Sequence, residues 1–105
     1  MYKRQAIAAA RVTDTVKEAG SDGRVVRTLD RSTLWAVQTP QVFQAEVLRR
    51  ALEVDDSVLA AATDDASLVE AAGGAIALVE APRENIKVTT ELDLRVAEAM
   101  LEARC

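Results

Sequence analysis

The sequence contains no histidine. That excludes histidine acid–base chemistry, Ser-His nucleophile pairs and His-ligated metals. Cys105 is the single cysteine, which leaves no internal disulfide and no thiolate-cluster zinc site. Only Tyr2, Trp35 and Phe43 are aromatic, and 20 of the 105 residues are alanine. Alanine adds little buried area, so the core must come from Val, Leu and Ile with help from Trp35 and Phe43. The chain therefore holds one domain at most, of marginal stability, and a missing partner surface is expected. With four glycines, none clustered into a phosphate-cradling loop, a Gly-rich nucleotide motif is absent. No apolar run approaches the roughly 20 residues of a membrane span, and the start has no secretory pattern. A cytoplasmic location and no membrane partner are expected. Thirteen basic against 17 acidic residues give a net charge of −4, which argues against a nucleic-acid surface.

What remains is organised by short alternating runs and turn signals. Met1 to Gln5 is a polar start that continues into no pattern, and it is left outside the fold. Ala6 to Ala10 is a small apolar run, and Arg11 to Lys17 alternates apolar and polar residues as a strand does. Gly20-Ser21-Asp22-Gly23 is a turn, and Arg24 to Leu29 again has strand composition, so the two pieces form a hairpin arm. An isolated hairpin is marginal in water, which predicts that the arm packs on another chain. Leu34 to Gln38 is a short strand expected to end at Thr39-Pro40, since proline cannot donate to a ladder.

Helical spacing of Val47, Leu48, Ala51 and Leu52 predicts a helix over 44–52, and Val58 to Ala62 adds a short helical turn. Thr63 and Asp64 precede a second helix that Gly73-Gly74 stops. Ala75 to Glu80 is a strand, Pro82 breaks it, and Asn85 to Val88 is a second short extended piece. From Thr90 a final helix carries Leu94, Ala97, Met100 and Leu101 as an apolar stripe, with Glu91 and Asp93 in its first turn and Arg104 at its end. Helices alternating with strands give an α/β layered sheet.

Four polar clusters carry the possible chemistry. Asp14-Thr15-Val16-Lys17 with Asp30-Arg31-Ser32 is, on spacing alone, a solvated ribbon with charged edges. Thr39-Pro40-Gln41 is a turn, and Thr63-Asp64-Asp65 a helix cap rather than a metal pair. Lys87, placed between Ile86 and Val88, is either a surface charge or part of an anion site. Arginine, lysine and hydroxyls at loop positions are the equipment for holding phosphate, arginine in bidentate geometry and lysine as a point charge.

Taken in order, Val12-Thr13-Asp14-Thr15-Val16-Lys17, Leu29-Asp30-Arg31-Ser32-Thr33-Leu34-Trp35, Gln38-Thr39-Pro40-Gln41-Val42-Phe43, Thr63 to Glu70 and Glu84-Asn85-Ile86-Lys87-Val88-Thr89-Thr90 closely resemble the C-terminal half of the 2-C-methyl-D-erythritol 4-phosphate cytidylyltransferases. The resemblance covers about residues 6–102. It implies one partial nucleotidyltransferase domain over 1–105, half of a Rossmann-like sheet, with a protruding β-hairpin dimerisation arm at about 12–31 and the CTP-binding N-terminal half absent. The chain is thus expected to be a fragment that is inactive alone; the alternative of another class is a non-catalytic dimerising module.

The implied reaction moves CMP from CTP to 2-C-methyl-D-erythritol 4-phosphate, releasing pyrophosphate, in non-mevalonate isoprenoid biosynthesis, with Mg²⁺ shielding the triphosphate. An anionic phosphate nucleophile needs no general base, so the lack of histidine fits. By the same resemblance Thr15 and Arg31 contact the substrate phosphate from the partner subunit of a homodimer. Lys87 positions the reacting phosphates, Thr39 and Thr63 line the substrate pocket, and Arg31 with Lys87 form the catalytic pair. No metal ligand falls in this segment. Ribitol 5-phosphate cytidylyltransferases share the scaffold, and one methyl group is worth only about 1–3 kcal/mol of discrimination. Arg11 stands where the family often has proline.

Overall fold

The computed structural model describes residues 5–104. Strands β1 (Gln5–Arg11), β2 (Lys17–Ala19), β3 (Val25–Thr28) and β4 (Trp35–Val42) are followed by helices α1 (Ala45–Ala51), α2 (Asp56–Ala61) and α3 (Asp65–Ala71). Strand β5 (Ile76–Glu80) and helix α4 (Glu91–Arg104) complete the order. The architecture is mixed α/β, as the alternation of elements predicted.

Strand β1 is the centre of a three-stranded sheet ordered β4-β1-β5, antiparallel to β4 and parallel to β5. Being hydrogen-bonded on both sides and packed over, it uses small residues, and Ile7, Ala9 and Ala10 are buried. Gln5 corrects the expectation that the polar start lies outside the fold, because it is buried and opens β1. Its amide nitrogen donates to the Ala75 carbonyl at 3.2 Å, and its amide oxygen accepts from the Gln44 N–H at 3.2 Å. A buried amide is tolerated because both its ends are satisfied. Residues 1–4 and Cys105 lie outside the described residues.

Two strand boundaries differ from the sequence expectation. The alternation over 11–17 is not one strand: β1 stops at Arg11, residues 12–16 cross without regular pairing, and β2 holds only Lys17–Ala19. β4 runs through Thr39-Pro40 instead of ending there. Between the pairs Ile7↔Gln41 and Ala9↔Val37 the register slips, so Ala8 faces Gln38 to Pro40, and this irregularity accommodates a residue without a donor.

The core lies between the sheet and α1/α3. Ala51, Leu68 and Val69 form its centre, with Phe43, Val47, Leu48, Ala62 and Ile76 packed against it. Asp64 caps α3 by accepting the Ser67 N–H at 2.8 Å. Gly73, at φ +91°, ends the helix in the left-handed region. Gly74 follows under a tighter constraint: a Cβ there would sit 2.5 Å from Val69 Cγ1 and 3.0 Å from the Val69 carbonyl oxygen. Gly74→Ala is therefore expected to destabilise the fold by about 1–3 kcal/mol, the scale of core overpacking, read as a lowered denaturant midpoint at unchanged slope. An unaltered midpoint would show that Val69 moves aside freely.

Beyond this core the molecule is open. Strands β2 and β3 pair only with each other, Lys17 opposite Thr28 and Glu18 opposite Arg27, and every residue of both is exposed. The stripe on α4 is only partly covered, with Leu94 50% and Leu101 60% exposed. Ala97 and Met100 of the same stripe are half-buried beside Ile86 and Val88, but no residue of α4 is fully buried. The accessible surface is 7950 Å², against about 5,700 Å² for a compact monomer of 11.3 kDa. The radius of gyration, 16.7 Å, likewise exceeds the about 13 Å of a compact domain this long. The expectation of a partner surface thus has a structural counterpart in the hairpin and α4.

Candidate active site

A cleft of about 700 Å³ opens at the carboxyl ends of the parallel strands β1 and β5, where α/β sheets generally bind ligands. Its walls are the end of β1 with residues 12–14, the middle of β4, the residues opening α3, and the segment 83–87 after β5. Segments far apart in sequence meet there because β1 lies between β4 and β5.

Three of the five residues singled out in the sequence line this cleft together: Thr39 from β4, Thr63 ahead of α3, and Lys87. Thr15 and Arg31 are not among its lining residues. Arg31 sits in a single 3-10 turn, Arg31–Thr33, and its Nη1 donates to the Thr13 carbonyl at 2.9 Å, pinning the base of the arm. Asp30 caps that turn. The Ser32 hydroxyl at 2.6 Å, and secondarily the Ser32 N–H at 3.1 Å, hold its carboxyl below the usual carboxylate range.

Lys87 does not lie in a strand, contrary to the expectation for 85–88. Segment 82–90 is irregular. Its two ends are fixed by side chains. At one end Asn85 Nδ2 donates to Gln38 Oε1 at 3.1 Å and to the Thr39 carbonyl at 2.8 Å, while Gln38 Nε2 donates to the Pro82 carbonyl at 3.0 Å. At the other, Asp93 accepts from the Thr89 and Thr90 N–H groups and the Thr89 hydroxyl, while the Asp93 N–H donates to Thr90 Oγ1 at 3.1 Å. These bonds, the Thr89 N–H first, lower the Asp93 pKa. A depressed carboxylate stabilises the folded form above its unfolded value near 3.8 and loses that contribution as pH falls through the folded value. The α4 entry thus stays charged and capped at neutral pH.

The cleft's charges are unequally committed. Arg11 pairs with Glu80 at 3.7 Å and lies 4.4 Å from the centre of the Trp35 ring. Asp64 uses one oxygen on Ser67 and the other on the Gln41 amide at 3.0 Å, which bears out its reading as a cap. Lys87 and Arg83 appear in none of the ion pairs of the described residues. Two uncommitted cations therefore face the cleft beside threonine hydroxyls. Among the described residues no three metal-ligating side chains cluster, and Asp14 is the one carboxylate of the cleft not used in a hydrogen bond or ion pair. Nothing here supplies a protein cage for a cation.

Sequence reasoning missed Gln38, Gln41, Arg83 and the role of Asn85. The turn signal at Pro82, with an asparagine three residues on, was the available hint: the Asn85 N–H closes a turn on the Pro82 carbonyl at 3.0 Å.

This fold and cleft define a mixed α/β protein whose site offers cations and hydroxyls and no nucleophile–base pair. A model of the 2-C-methyl-D-erythritol 4-phosphate cytidylyltransferase (IspD) family matches residues 2–103, and the chain belongs to that family. It is 54% identical over 99 residues to the protein of that name from Rubrobacter xylanophilus, covering 94% of this chain and 42% of the relative. The Francisella tularensis cytidylyltransferase structure aligns with a TM-score of 0.79 at 36% identity, over 91% of this chain and 45% of that one. A crystal structure of 4-diphosphocytidyl-2C-methyl-D-erythritol synthase aligns with a TM-score of 0.71 at 42% identity, over 92% and 42%. The chain thus spans less than half the length of these relatives.

Proposed function

We propose that this chain forms the substrate-holding part of a cytidylyltransferase that transfers CMP from CTP to 2-C-methyl-D-erythritol 4-phosphate. The convergence of Thr39, Thr63 and Lys87, which forms no ion pair among the described residues, on one cleft in a member of this family carries the reading. A substrate phosphate oxygen attacks the α-phosphorus of CTP. The new P–O bond forms as the bond to the β-phosphate oxygen breaks, and pyrophosphate leaves with its electron pair. No proton has to move, so the cleft needs no base. Its task is to orient two anions and neutralise the charge that builds between them.

In this reading Lys87 meets the reacting phosphates and the hydroxyls of Thr39 and Thr63 hold the substrate. Thr15 and Arg31, which do not line their own cleft, serve that of a second copy; the exposed hairpin, with Val25 58% and Val26 60% accessible, is the surface that would dock there. Bound Mg²⁺ would shield the triphosphate, held by the nucleotide and by residues beyond this segment. The enzyme is read as a cytoplasmic homodimer in isoprenoid biosynthesis.

A chimera joining this chain to the remaining sequence of the Rubrobacter xylanophilus relative is expected to release pyrophosphate from CTP only when 2-C-methyl-D-erythritol 4-phosphate is supplied. Equal or faster release with ribitol 5-phosphate would transfer the assignment to that substrate. The isolated chain is expected to give no turnover, since it encodes no backbone cradle for a triphosphate.

A further inference from the structure

We propose that Asn85 is a positioning residue that sets Lys87 against strand β4, acting as a latch between the two sides of the cleft. Asn85 stands two residues before Lys87, in a segment without regular backbone pairing. Its side chain crosses to β4, donating one amide proton to Gln38 Oε1 at 3.1 Å and the other to the Thr39 carbonyl at 2.8 Å. Both protons are consumed, so Asn85 has no donor left for an anionic ligand, and its remaining oxygen would repel one. The residue lines the cleft without the means to bind phosphate.

The geometry around it is reciprocal. Gln38 accepts from Asn85 and returns a bond to the Pro82 carbonyl at 3.0 Å, so one strand residue grips the segment at two points. The second Asn85 bond ends on the backbone of Thr39, a residue assigned to the substrate. Beyond Lys87, the Asp93 carboxylate holds Thr89 and Thr90. Lys87 therefore hangs on a short span tied at both ends, and of the two side chains that make the tie on the cleft side, Asn85 is the nearer in sequence to Lys87. A lysine acts as a flexible point charge, so where its backbone is held decides where the charge falls. A displacement near 1 Å of a reacting contact is enough to lower rates by about 10²-fold.

The proposal rests on the reading that Lys87 meets the reacting phosphates, and it is tested on the chimera described above by two measurements. Asn85→Asp preserves shape but replaces both donors with an acceptor facing two acceptors. It is expected to lower kcat roughly 10- to 100-fold, with KM for CTP changed by less than about 2-fold. In a Lys87→Ala background the same change is expected to lower kcat by less than about 3-fold, because a residue acting through Lys87 has nothing left to position. The milder Asn85→Ala, whose freed acceptors can turn to water, should follow the same pattern if the aspartate variant fails to fold. Independently of turnover, the Lys87 backbone amide should change from an NMR order parameter of about 0.85 to below about 0.6 in either variant.

An unchanged order parameter overturns the latch even if the chimera proves inactive. Full additivity with Lys87→Ala also overturns it, since Asn85 would then act elsewhere. An active chimera with normal Lys87→Ala turnover, but a loosened amide in the Asn85 variants, refutes the catalytic reading of Lys87 and leaves the latch standing.

Discussion

Lys87→Ala in the chimera is expected to lower kcat by about 10²- to 10³-fold, the scale on which removal of one preorganised electrostatic contact is felt. The size follows from what surrounds the lysine. Arg11 is engaged with Glu80 and Trp35, so it is not placed to take over. Arg83 forms no ion pair among the described residues, but it stands four positions away, on the far side of the Asn85 anchor. Negative charge grows on the bridging and leaving oxygens as the P–O bond breaks, so a cation placed there contributes most at the transition state and little to ground-state affinity. KM for both substrates should thus move far less than kcat. Lys87→Arg would keep the charge but spread it over a plane, and is expected to recover only part of the rate. Near-normal kcat in Lys87→Ala would return the residue to an ordinary surface charge.

The second large effect is a gain. An Arg31→Ala chain and a Lys87→Ala chain, each nearly inactive alone, are expected to regain activity when mixed under conditions of subunit exchange. Arg31 is held to Thr13 of its own chain, yet does not line that chain's cleft. If the hairpin reaches a second copy, each site combines one chain's Lys87 with the other's Arg31. A mixed dimer then has one whole site and one carrying both lesions. With equal amounts and random exchange, half the dimers are mixed, so recovery should approach about one quarter of the wild-type rate in a two-fold symmetric assembly. Exchange can be followed independently by native mass spectrometry. A mixture that exchanges subunits and stays inactive would show that Arg31 works in cis or not at all.

The parts of the fold that were legible in the sequence are those decided within a few residues. The Gly20–Gly23 turn, the Asp64 cap, the Gly73-Gly74 stop and the α4 entry at Thr90 each depend on neighbours one to four positions away. The errors share the opposite property. Gln5 looked expendable because its partners, Ala75 and the Gln44 N–H, lie 70 and 39 residues off. Pro40 looked like a strand end because the irregularity that admits it is a property of the β1–β4 pairing. Residues 85–88 looked extended because β-branched residues flank Lys87, whereas their shape is dictated by Gln38 and Asp93. In the cleft the individual threonines and the lysine were found, while the amides that hold them were not. Amide cross-links between distant segments leave no periodic trace.

The Asn85 bonds to Gln38 and Thr39 also fix when the cleft comes into being. They close loops of 47 and 46 residues. Closing a flexible loop of that size costs about 3 kcal/mol in chain entropy. A single exposed hydrogen bond returns about 0.5–1.5 kcal/mol, too little to close it unaided. The latch must therefore wait for β1 to pair with both β4 and β5, which bring its two sides together. Once formed, it can open without disturbing that pairing, since its groups reach solvent. In the native ensemble the lysine-bearing span can thus loosen while the β1 pairings stay intact.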